Sequence, residues 1–100
     1  MKKYRSHDDY LKEALKNPKE AAIYLNAAAE EMDPALFLVA LGQVARAHGV
    51  SRMAKRIALS RLGLYKTLSK KGNPEFKTLL SILEAAGVQL SFKPKIKRAA

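Results

Sequence analysis

Apolar residues recur at helical spacing along most of this chain and switch to strict alternation only near its end. Leu11 and Leu15 stand four apart, and Ala22, Leu25 and Ala29 share one side of the next segment. Leu36, Phe37, Ala40, Leu41, Val44 and Ala45 then form a stripe wide enough for a central helix. Met53, Ala54 and Ile57, then Leu64 and Leu68, then Leu79, Leu80, Ile82 and Leu83 continue the pattern in shorter segments. The spacing predicts helices over residues 8–16, 18–32, 34–48, 52–57, 61–70 and 74–86. Val88, Leu90 and Phe92 alternate with Gln89, Ser91 and Lys93, which predicts one half-buried strand over 88–93 that needs a partner.

The breaks between these segments carry their own chemistry. Asn17-Pro18, Asp33-Pro34 and Asn73-Pro74 each place a capping side chain before a proline, whose missing N–H costs nothing at the first helical position. A further start is expected near Ser6, with Asp8 and Asp9 favourable in its first turn. Gly49 and Gly87 are the expected stops, and His48 is expected at a helix C-terminus. The chain reads as a single all-α domain over 1–100, compact and of five to six helices with a short C-terminal strand. N-terminal helices occupy 1–33, a core follows over 34–87, the strand covers 88–93, and a basic, flexible tail covers 94–100.

Two short helices separated by a few residues, with a third behind them, give the stretch 51–87 the spacing of a lambda-repressor-like helix-turn-helix. Ser60 is placed to cap its second helix, or alternatively to touch a phosphate. With Leu64 and Leu68 turned inward, Arg61, Leu62, Tyr65 and Lys66 remain for a DNA groove. Arg61 and Lys66 suit guanine O6 and N7, and Leu62 suits a thymine methyl. Each has a plainer role open to it: phosphate contact or solvation for the cations, helix packing for Leu62, the core edge for Tyr65. Arg52, Ser60, Ser69, Lys70, Lys71 and Asn73 are candidates for phosphate contact, aided by free N–H groups at the helix start expected after Asn73.

Charge sharpens this reading. Residues 1–33 hold six Lys/Arg against seven Asp/Glu, a net of −1, whereas residues 34–100 hold thirteen against two, a net of +11. The basic part coincides with the helix-turn-helix, as expected of a surface that displaces counterions from a nucleic acid. A solvated basic face is the alternative. No cysteine is present, so neither disulfides nor thiolate metal sites can form. No apolar run approaches membrane-spanning length, and the first ten residues lack a signal-peptide pattern, so a cytoplasmic chain is expected. His7 and His48 have no metal-ligand spacing, and the carboxylates form no acid/base constellation. No enzyme activity, cofactor or metal is expected. Aromatic platforms of the kind that stack single-stranded RNA are also lacking.

The runs NPKEAAIYLNAA, DPALFLVALGQVARAHG and LSRLGLYKTLSKKGNPEFKTLL resemble the addiction-module antidote proteins, HigA-like antitoxins with an Xre-type helix-turn-helix. The resemblance covers residues 8–93. It implies a toxin partner of the RelE/ParE-like group, repression of the antitoxin's own operon, operator DNA as ligand and a homodimer as the binding form. It places the recognition helix on residues 60–69. A stand-alone Xre-type transcriptional regulator is the alternative. Two positions depart from the pattern: Ala58 stands where glycine is common in the turn, and Gly63 lies inside the recognition helix. Both predict a less rigid element before DNA binds. The acids concentrated before Pro34 are the expected toxin-binding region, unless they serve only helix N-termini and neighbouring lysines.

Overall fold

The computed structural model describes residues 7–96. They form six helices: α1 (His7–Ala14), α2 (Pro18–Glu30), α3 (Pro34–Ala47), α4 (Val50–Arg56), α5 (Arg61–Thr67) and α6 (Phe76–Ala86). The helix start expected near Ser6 and the last four residues of the tail lie outside the described residues.

Two of the three capped starts form as the sequence implies. Asn17 Oδ1 accepts from the Lys19 N–H at 2.9 Å, Asp33 Oδ1 accepts from the Ala35 N–H at 3.0 Å, and a proline follows each cap. Helix α3 is the axis of the molecule. It buries Leu38, Ala40, Leu41, Val44, Ala45 and Ala47, and packs against α1, α2, α4 and α6. A helix this apolar around most of its circumference is stable only when enclosed. Leu15, Leu25, Met53, Leu64, Ile82 and Leu83 complete the core from the other helices. His48 ends α3 as its C-cap, and Gly49, at φ +92°, turns the chain into α4.

Several expectations need correction. The buried face of α2 is Ala21 and Leu25 rather than Ala22 and Ala29, and Leu36 and Leu80 are exposed. Helix α2 stops at Glu30 because Met32 adopts φ +58°, and α4 starts at Val50, directly after Gly49. Helix α5 ends at Thr67, three residues early, where the Ser69 hydroxyl donates to the Lys66 carbonyl at 2.8 Å. Helix α6 starts at Phe76 with Glu75 as N-cap, so Asn73 caps nothing. The cause lies at Gly72, which is pressed so closely onto the end of α5 that a Cβ there would collide with the Thr67 carbonyl. Residues 73–75 must then cross to α6 in non-helical form. No strand is present among the described residues, and 88–93 has no ladder partner. An isolated strand has nothing to hold it.

Candidate nucleic-acid interface

The link from α4 to α5 is a hydrogen-bonded reversal. The Leu59 N–H donates to the Ala54 carbonyl at 2.8 Å and the Ala58 N–H to the Lys55 carbonyl at 3.3 Å, with Ala58 at φ +59°. This is the Schellman arrangement, normally completed by glycine. The same arrangement closes α6, where Gly87 at φ +75° takes the left-handed position. Ser60 then caps α5, its Oγ accepting from the Gly63 N–H at 2.9 Å. A Cβ on Gly63 would stand 3.1 Å from that oxygen, so glycine leaves the cap uncrowded.

Helix α5 divides as its spacing implies. Leu64 and the following Leu68 are buried, while Arg61, Leu62, Tyr65 and Lys66 are exposed, Leu62 at 63% and Tyr65 at 40%. The candidate phosphate ligands are more scattered. Ser60 and Ser69 spend their hydroxyls on helix ends, and Lys70 and Lys71 project from the turn after α5. Asn73 is exposed but lies outside any helix start, and the acid Glu75 occupies the N-cap expected to attract anions.

Arg52 and Arg61 meet two cations that sequence reasoning did not select. Lys12 of α1, Arg46 of α3, Arg52 of α4 and Arg61 of α5 line one cleft of about 290 Å³, together with Ser51 and Tyr65. The Arg46 guanidinium carbon stands 5.6 Å from the centroid of the Tyr65 ring, a cation–π approach that orients both side chains. Among the described residues, no carboxylate lines the cleft. The ion pairs Lys16–Glu13, Arg56–Glu84 and Lys77–Glu75 engage none of its four cations. Four converging cations raise the local potential and favour an anion. Arg46 carried one readable signal, as the lone charged residue in α3. Lys12 carried none, because only the packing of α1 on α3 brings it there.

Among the described residues, no group of His, Asp and Glu could hold a metal ion. No helix there is long and apolar enough to cross a membrane. The model of a family described as probable addiction module antidote protein matches residues 6–94. A protein of Haemophilus influenzae (strain Rd), described only as uncharacterized, is 42% identical over 77 residues, which are 77% of this chain and 79% of the relative. No solved structure matches the chain.

Proposed function

The chain belongs to the family of probable addiction module antidote proteins, and from that premise we propose that it is a HigA-like, DNA-binding antitoxin that silences a RelE/ParE-like toxin and represses its own operon. The observation that carries the DNA part is the cleft of Lys12, Arg46, Arg52 and Arg61 beside the exposed face of α5. In this reading α4, the Ala58 turn and α5 are an Xre-type helix-turn-helix, and α5 enters the major groove. Arg61 and Lys66 donate to guanine edges, Leu62 packs on a thymine methyl, and Tyr65 meets the groove wall in the orientation that Arg46 gives it. Arg52, Lys12 and the turn lysines Lys70 and Lys71 hold backbone phosphates and fix the register.

The toxin belongs at the other pole of charge. Glu13, Glu20, Glu30, Glu31 and Asp33 are exposed on α1, α2 and the turn that follows, and offer the acidic surface that a basic partner needs. Co-expression with the product of the neighbouring gene, followed by copurification and a gel shift on the shared promoter, tests the whole proposal. Joint purification and a promoter-specific shift are expected. A shift without a copurifying partner would leave a stand-alone regulator, and the absence of both results would contradict an antitoxin that controls its operon.

A further inference from the structure

Two apolar hollows border α3. At its N-terminal end Met32, Phe37, Phe76 and Phe92 line an open groove of about 430 Å³. Toward its C-terminal end a slot of about 290 Å³ runs between α3 and α5, walled by Val39, Gly42, Leu64 and Leu68, with the exposed Arg46 and Tyr65 at its rim. Helix α5 packs mainly on α4 and meets α3 near its own end, where a Cβ on Gly42 would stand 3.7 Å from the Leu68 carbonyl. The slot is the space beside that contact.

We infer that this slot binds a small aromatic monocarboxylic acid. Val39, Gly42 and Arg46 stand at i, i+3 and i+7 on one face of α3, so hydrocarbon along that face gives way to a cation. Leu64 and Leu68, four apart on the α5 side, form the opposite wall. A ligand in the slot therefore meets apolar surface along its length and a guanidinium at one end. Small-molecule sites are built in this way, mostly apolar with a few polar groups that fix orientation.

Size and charge narrow the class. Pockets for drug-sized molecules begin at roughly 300 Å³, so this one suits one or two rings and no more. The Arg46 guanidinium carbon stands 5.6 Å from the centroid of the Tyr65 ring, so a flat ring laid along Tyr65 carries its carboxylate to Arg46. A chain of net +10 draws anions, while apolar walls penalise a second charge that finds no partner. A polyanion is better held in the neighbouring cleft of four cations. Ser69 also lines the slot; its proton is committed to the Lys66 carbonyl, so its oxygen offers an acceptor, which suits a ring N–H.

The slot shares Arg46, Val50 and Tyr65 with the cationic cleft. A bound acid neutralises Arg46 and holds Tyr65 against itself, which withdraws both from a DNA groove. Acid and operator then oppose each other reciprocally, and here alone the inference rests on the DNA-binding reading.

Titration of the isotope-labelled full chain with indoleacetate, and with indoleacetamide as its neutral twin, tests the site through amide chemical shifts. Saturable shifts confined to residues 39–50 and 61–69 are expected, with the acetate bound at least about tenfold more tightly than the amide. Arg46→Gln should remove that preference. Val39→Phe, which fills the slot from a half-buried position outside the proposed DNA contacts, should weaken both ligands at least about tenfold while circular dichroism stays helical. Should Val39→Phe unfold, Arg46→Gln at its exposed position still decides the matter. No saturation below about 10 mM, shifts spread over the whole surface, equal affinity for acetate and amide, or a preference that survives Arg46→Gln would each overturn the inference. Operator binding with and without indoleacetate separates the two readings. The acetate should weaken binding by the wild type and leave that of Val39→Phe unchanged. Unchanged wild-type binding with the slot filled would overturn the opposition of acid and operator. A filled slot in a chain that binds no DNA would leave the site standing and refute the DNA-binding reading instead.

Discussion

Ala58 holds a left-handed conformation that glycine adopts freely, and the chain shows the cheaper solution at Gly87, in the same kind of helix end. An L side chain there costs on the order of 1 kcal/mol. Ala58→Gly should therefore raise the unfolding free energy by about 0.5–1 kcal/mol, measured in urea, and a loss of stability would mean the turn is not strained. Gly63→Ala should gain less than the ~1 kcal/mol that helix propensity offers, because the new methyl crowds the Ser60 cap. Arg61→Ala should reduce discrimination between operator and altered duplexes by about 1–3 kcal/mol if Arg61 reads a base; an equal loss on every duplex would assign it to phosphate. At this scale the Ser60 cap and the inward Leu64 and Leu68 were legible, since each depends on neighbours within one helical turn. The pairing of Arg46 with Tyr65 was not, because it depends on the packing of α5 near the end of α3.

Among the elements, the legible starts are those governed by local chemistry. Asn17 and Asp33 cap because the proline and the amide they need follow at once. Asn73-Pro74 has the same pattern and fails, because the chain folds back on the end of α5 just before it: the Gly72 N–H donates to the Ser69 carbonyl at 2.8 Å and Gly72 lies against the Thr67 carbonyl. Gly72→Ala should cost at least about 1–3 kcal/mol by forcing backbone apart, and thermal unfolding near the wild-type temperature would contradict that account. Helices α1 and α2 set a limit on testing the toxin surface. Leu15, Ala21 and Leu25 belong to the core, so removing these helices would expose it. Charge reversal of exposed Glu30 and Glu31 to lysine leaves the packing intact. It should weaken toxin binding at least tenfold at low salt while DNA affinity stays the same or rises; unchanged toxin affinity would remove these acids from that interface.

Across the whole molecule, α3 separates two surfaces, a cationic cleft at its C-terminal end and an apolar groove at its N-terminal end. The contrast between an acidic first third and a basic remainder was visible in the sequence, and it is one ground for the proposed nucleic-acid ligand. The cleft itself was not visible, because four helices each contribute one cation to it. The alternation at Val88, Leu90 and Phe92 predicted a strand, and none forms among the described residues, because alternation alone supplies no ladder partner. The central claim is that the cleft and α5 together bind specific DNA. Fluorescence anisotropy across a salt series, comparing the duplex upstream of the chain's own gene with a scrambled duplex, tests it most directly. The account predicts tighter binding to the upstream duplex, by a factor on the order of 10³ or more, and affinity that falls linearly with log salt. Replacing Lys12 and Arg52 by alanine should make that slope shallower by about two. Equal affinity for the two duplexes, or a slope unchanged by those substitutions, would contradict it.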